Sequence, residues 1–228
     1  MKTVRGQKTV RDQGPLRPRF YMVVRALIAG FARIYWRFGV DGAEHLPREG
    51  AFILAPVHRS NIDTPLMSTL IHRPMRYLGK LEMWKYGWSA WLWDSLGAFP
   101  VQRDTVDRDA MRKCVEALRR GEPLVVFAEG TRRSGPVVGD LYDGAASLAM
   151  RTGVPIVPIG IGGSERAMPR GKRLLRPVRV RAVVGAPLLP EPTEEGRSTS
   201  RRAIKALTER LHTELQAAFD QARVRAGD

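Results

Sequence analysis

AFILAPVHRSNID, residues 51–63, sets an apolar run directly against a polar turn. Ala51–Pro56 has the length and unbroken apolarity of a strand buried on both faces. The turn that follows leads into TPLM, where Pro65 is tolerated only in a helix's first turn, giving a helix over Pro65–Ile71. Such a strand-to-helix junction places polar atoms at the carboxyl end of a sheet, where α/β sites form. Working outward, Met75–Gly79, Pro123–Ala128, Val154–Ile159 and Val178–Val184 also read as strands. The alternation VRVRAVV marks the last as an edge or half-buried strand. Val106–Arg120 puts Ala110, Met111, Cys114, Val115 and Leu118 on one helical stripe, and Gly121 ends it. Tyr142–Met150 and Arg201–Val224 are further helices, and Pro187–Ser200 reads as a linker into the last. Strands alternating with helices predict one α/β domain, its mostly parallel sheet flanked by helices.

Composition narrows the function classes. The 228 residues carry a formal charge of +15 and are 43% hydrophobic, which excludes a disordered or fibrous chain. Cys114 is the only cysteine, so a disulfide scaffold is excluded as well. The charge calls for an anionic partner: nucleic acid, a membrane surface or a phosphorylated metabolite. No recognised nucleic-acid-binding element accompanies it, so specific nucleic-acid binding is not expected.

The longest stretch free of Asp, Glu, Lys and Arg, Thr152–Ser164, has 13 residues. That is shorter than the roughly 20 apolar residues of a spanning helix, so no transmembrane span is expected. Met1–Arg19 is a basic, Pro- and Gly-containing arm without the pattern of a secretory signal. Phe20–Val40 is different: Arg25, Arg33 and Arg37 fall within about 120° of one another on a helical period. Val24, Leu27, Phe31, Ile34, Tyr35 and Phe38 fill the remainder. This predicts an amphipathic helix lying in a bilayer interface, its arginines reaching for headgroups. A helix packed on the core is the other reading. Residues 1–39 are thus expected to be a basic arm and interfacial helix, and residues 40–228 a catalytic domain with a C-terminal helix.

His58 and Asp63 are the candidate reactive pair. Five positions span about 140° on a continuous helix, which is no shared face, but across a turn the carboxylate can curl back to the imidazole. Asp63 would orient one ring nitrogen while the other takes a proton from an alcohol. Capping of the next helix by Ser60, Asn61 or Asp63 accounts for the same residues without chemistry. Metal binding is disfavoured, because no second histidine stands at helical ligand spacing.

His58-Arg59-Ser60-Asn61-Ile62-Asp63 matches the H-x4-D motif of the glycerolipid acyltransferases, and three further blocks follow in the family's order. Gly97–Arg103 resembles the second, Phe127–Arg132 the third, usually written F-P-E-G-T-R, and Val154–Gly160 the fourth. Ala128 departs from the usual proline, which bears on the rigidity of that loop and removes no reactive group. The bacterial 1-acylglycerol-3-phosphate acyltransferases are the branch the chain looks most like. The resemblance implies that His58 is the base and Asp63 its support. It implies that Arg103, Glu129, Gly130, Thr131 and Arg132 bind the acceptor's phosphate and glycerol, Glu129 either holding a hydroxyl or organising an arginine. Val154, Pro155, Ile156, Val157 and Pro158 would wall the acyl pocket.

The implied reaction moves a fatty acyl group from acyl-CoA or acyl-carrier protein to the free hydroxyl of the lysophospholipid 1-acylglycerol-3-phosphate, producing phosphatidic acid, with no metal and no bound cofactor. A backbone amide of the first or third block would hold the oxyanion. Glycerol-3-phosphate or another lysophospholipid is the alternative acceptor, and a basic peripheral membrane-binding protein the alternative outside enzymes. The expected place is the cytoplasmic side of the cell membrane, peripheral or monotopic. Trp84, Trp88, Trp91 and Trp93, beside Lys80 and Lys85, line the acyl tunnel, touch lipid or simply pack in the core. The basic clusters at 170–173 and 197–202 fit a CoA or carrier-protein donor, or are a solvated face.

Overall fold

The computed structural model describes residues 15–101, 108–191 and 200–228. Its strands are β1 (Gly39–Asp41), β2 (Ile53–Pro56), β3 (Arg76–Lys80), β4 (Ala98–Val101), β5 (Leu124–Val125), β6 (Ile156–Gly162) and β7 (Arg181–Val184). Its helices are α1 (Pro18–Tyr35), α2 (Asp63–Ser68), α3 (Gly87–Ser95), α4 (Arg108–Arg119), α5 (Gly144–Thr152), α6 (Ser164–Ala167) and α7 (Arg201–Ala226). The strands form one sheet in the order β1-β7-β6-β2-β5-β3-β4. Every neighbouring pair is parallel except β6 with β7. The α/β architecture with a mostly parallel sheet is therefore as the sequence predicts.

Burial on both faces explains why β2 shows no alternation. Ile53 and Ala55 enter the core shared with Cys114, Val115, Ala145 and Leu148 of α4 and α5. Leu54 enters the opposite core, with Tyr21, Leu66, Met67 and Phe219. Cys114 is a core residue of α4, on the stripe its spacing predicts. Helix α7 lies close on β6: a Cβ at Gly160 would fall on the Ala218 carbonyl, and one at Gly162 on that of Ala222. Only glycine permits that approach.

Some elements differ from expectation. The stretch 39–50, whose glycines, proline and charges read as a connection, holds β1 and a single 3-10 turn at Ala43–His45. Strand β7 is not an edge, because β1 pairs beyond it. Its exposed-looking arginine alternation stops at Arg181, and Ala182, Val183 and Val184 are buried.

Helix α1 has two characters. Its inner side is core: Tyr21, Ala32 and the following Trp36 are buried. The Tyr21 and Tyr77 hydroxyls lie 2.9 Å apart. Burial pushes both phenols above their ordinary range, Tyr77 the further. Arg25 belongs to this inner side, which corrects the expectation that it reaches for headgroups. Its Nε donates to the Ile71 carbonyl at 2.6 Å and its Nη2 to that of Thr69 at 3.1 Å. A guanidinium there satisfies carbonyls just past the end of α2, which have no helical partner. The outer side carries Val23, Phe31, Leu27 at 69% and Ile34 at 83% exposure. Among the described residues no helix is long and apolar enough to cross a membrane.

The tryptophans of the α3 region divide. Trp84 donates its indole N–H to Asp94 at 2.8 Å and Trp93 packs against the core, while Trp88 and Trp91 are exposed.

Candidate active site

The sheet order makes β2 a neighbour of both β5 and β6, all three parallel. Their carboxyl ends therefore open side by side, and the turns after them meet. Residues 57–62 follow β2, residues 126–143 follow β5, and α6 follows β6.

The first turn curls as the H-x4-D spacing requires. His58 Nδ1 lies 3.2 Å from Asp63 Oδ2. The same carboxylate oxygen accepts the amides of Arg59 at 2.7 Å and Ser60 at 2.6 Å. Asp63 is the first residue of α2 and makes no side-chain cap for that helix. Its carboxylate reaches backward to shape the turn, so capping of α2 and ring orientation are not competing roles for it. Asp63 is fully buried, and its Oδ1 has no partner among the described residues. The His58 ring packs against Phe127, centroids 4.1 Å apart, and remains 12% exposed. The imidazole is thus held by a buried anion on one nitrogen and a ring on one face.

The second turn locks onto the first through Glu129. This carboxylate is fully buried. It accepts the His58 amide at 2.8 Å, the Gly139 amide at 3.0 Å, and Arg59 Nη1 at 2.9 Å on each oxygen. Arg59 is 1% exposed. It also donates to the Gly135 and Val137 carbonyls and lies over the Phe219 ring of α7 at 4.7 Å. Glu129 therefore fixes the His58 backbone and pairs with Arg59, the geometry of an organiser of arginine. Arg59 is the residue that motif reading passed over, since it occupies one of the motif's unspecified positions. Its signal was a charge between an apolar strand and an apolar helix, where full solvation is hard to arrange.

Gly130 adopts φ +67°, and a Cβ there would stand 2.6 Å from Tyr142 Cε2. Any other residue there takes a strained backbone angle and must displace the Tyr142 ring, so the turn favours glycine. The Thr131 amide bonds the Glu129 carbonyl and the Arg133 amide the His58 carbonyl, each at 2.8 Å. The amides of His58, Arg59, Ser60, Gly130, Thr131 and Arg133 are all bonded internally, so an oxyanion would have to draw on other amides of these turns. Thr131 and Arg132 are half-buried beside this turn. Arg103 lies outside the described residues.

The fourth block lies in and just before strand β6. Ile156, Val157 and Pro158 are buried in β6 between β2 and β7, with Val154 and Pro155 leading in. They pack into the sheet's two cores and support β2. A strand that pairs on both edges and packs on both faces serves the site through β2. Among the described residues no group of three or more His, Cys, Asp or Glu side chains is placed to hold a metal ion.

Comparison with known proteins bears on this geometry. Residues 37–162, more than half of the chain, match the family model described as Acyltransferase. The chain is 26% identical over 186 residues to a 1-acyl-sn-glycerol-3-phosphate acyltransferase of Bacillus subtilis, covering 80% of this chain and 89% of that protein. It is 26% identical over 179 residues to the chloroplastic 1-acyl-sn-glycerol-3-phosphate acyltransferase LPAT1 of Arabidopsis thaliana, covering 76% of this chain but half of that longer protein. Among solved structures, the 1-acyl-sn-glycerophosphate acyltransferase PlsC of Thermotoga maritima superposes with a TM-score of 0.66 at 25% identity. That match covers 87% of this chain and 81% of the other.

Proposed function

The chain belongs to the acyltransferase family, and from that membership we propose that it transfers a fatty acyl group from an acyl thioester to the free hydroxyl of 1-acylglycerol-3-phosphate, producing phosphatidic acid. The observation that carries the reading is the His58–Asp63 pair at 3.2 Å, at the meeting of the β2 and β5 turns.

The chemistry follows from the pair. Asp63 accepts Nδ1–H, the tautomer that leaves Nε2 unprotonated. Nε2 takes the hydroxyl proton as the acceptor oxygen attacks the thioester carbonyl carbon. The new C–O bond forms, a tetrahedral oxyanion develops, and its collapse breaks the C–S bond. The leaving thiolate recovers the proton from His58. Asp63 supports the transient imidazolium, and Glu129 with Arg59 keeps the His58 backbone in place for it. Arg132, with Arg103, takes the acceptor phosphate, for which a guanidinium's paired donors are suited. The reaction needs no metal and no bound cofactor, and its donor is acyl-CoA or acyl-carrier protein.

The protein works at the cytoplasmic surface of the cell membrane without spanning it. The exposed Val23, Leu27, Phe31 and Ile34 of α1 support this, because a soluble environment gives that face nothing to bury against. The reading is tested by crossing acyl-CoA and acyl-carrier-protein donors with 1-acylglycerol-3-phosphate, glycerol-3-phosphate and other lysolipids, and identifying products by mass spectrometry. Phosphatidic acid as the main product is the expected outcome. A dominant product from another acceptor would reassign the substrate, and no acylated product with any pair would leave only the membrane-binding reading.

A further inference from the structure

One run of cations plays no part in the chemistry above. Between α6 and β7 the chain reads PRGKRLLRPVR, residues 169–179. Arg170, Lys172, Arg173, Arg176 and Arg179 are all exposed. Among the described residues none of the five forms an ion pair with a carboxylate. Leu174, in their midst, is 77% exposed.

This run is a strap with both ends fixed. At one end the Tyr35 hydroxyl donates to the Leu175 carbonyl and the Trp36 indole to that of Arg176, each at 3.1 Å. The Val180 amide donates to the Trp36 carbonyl at 3.0 Å. At the other end the Ser60 hydroxyl donates to the Met168 carbonyl at 2.8 Å, and Arg170 Nη1 reaches the Arg132 carbonyl at 3.5 Å. The strap therefore joins the C-terminal end of α1 to both turns of the candidate active site.

We propose that the strap binds the phosphate headgroups of an anionic bilayer and so sets the mouth of the His58 site against the lipid surface. The proposal rests on the reading of α1 as membrane-facing. Unpaired cations beside an apolar helix face complement an anionic surface and bind it additively. Leu174 adds an apolar contact that an interface can bury and that free phosphate or a nucleotide headgroup cannot. The tie to Tyr35 and Trp36 makes the strap continuous with the end of α1 where Ile34 and Phe31 are exposed. Engagement of both elements gives the protein one orientation, with the acceptor drawn directly from the bilayer.

The test uses the full chain carrying R173E and R176E, in flotation with phosphatidylcholine vesicles with and without phosphatidylglycerol. Binding to the anionic vesicles should fall about tenfold or more, with little change on neutral ones. The KM for vesicle-borne acceptor should rise by a similar factor. With detergent-dispersed acceptor, kcat and the KM for acyl-CoA should stay at their wild-type values. An unchanged melting temperature checks the fold, and R173Q with R176Q should show a smaller loss in the same direction. Undiminished binding to anionic vesicles overturns the proposal. A raised KM for acyl-CoA with intact vesicle binding overturns it in favour of a donor site. L27E with I34E separates the underlying reading: normal binding by that variant refutes the role of α1 and leaves the strap's result standing.

Discussion

Asp63 Oδ2 stands 3.2 Å from His58 Nδ1 while accepting the amides of Arg59 and Ser60, so one buried oxygen both orients the imidazole and shapes the turn that carries it. Asp63→Asn presents an amide to the same three donors and leaves His58 without an anionic partner. We expect kcat to fall by about a hundredfold or more, as for other acids that hold a catalytic histidine. Steady-state kinetics beside a thermal melt checks this. A D63N protein with wild-type kcat would show that the contact only builds the turn.

Arg59 and Glu129 form a buried ion pair across the two turns. Breaking such a pair from one side leaves a charge stranded, at a cost of about 3–5 kcal/mol. Arg59→Met should therefore destabilise strongly in urea denaturation. Adding Glu129→Gln should recover part of the loss, because it removes the stranded charge while its single amide oxygen still accepts one of the two amides, that of His58 or that of Gly139. Equal stability of R59M and wild type would contradict the assignment.

Gly130 is constrained twice, by φ +67° and by Tyr142. Gly130→Ala should lose about 1 kcal/mol or more and lower turnover. Tyr142→Ala in the G130A background removes the overlap and leaves the backbone strain, so stability should return only in part. Full recovery would mean that the backbone angle is unimportant.

The Glu122 carboxylate contributes to acid sensitivity. Burial alone would raise its pKa, but hydrogen bonds and charge from Arg76 and Arg120 outweigh burial and hold it below its ordinary value. A folded-state pKa below the unfolded one stabilises at neutral pH, and that contribution is lost as pH falls through the unfolded and then the folded value. The melting-temperature gap between wild type and Glu122→Gln should therefore be widest near neutrality and close at acid pH. A gap independent of pH would assign the effect to packing.

Much of this was legible in the sequence because the signals are local. The apolar run before His58, the stripe through Cys114 and the four ordered motif blocks each report their own neighbourhood. The H-x4-D spacing even carries the curl that returns Asp63 to the ring. What escaped depends on pairing across the chain. Strand β1 is three residues long and exists because β7 supplies its edge. Arg25 reads as an interfacial cation until the Thr69 and Ile71 carbonyls are seen to claim it. Glu129 reads as a glycerol ligand or an organiser of arginine, and no local pattern names its partner Arg59, 70 positions away. The fourth block is a conspicuous pattern that forms strand β6, and no local feature separates a sheet strand from a pocket wall.

The central claim is that His58 removes the acceptor's proton, and the most direct measurement is acyl transfer to 1-acylglycerol-3-phosphate by purified His58→Ala. The account predicts turnover lowered by about a hundredfold or more, with vesicle binding at the wild-type level. Unchanged turnover in H58A would contradict it.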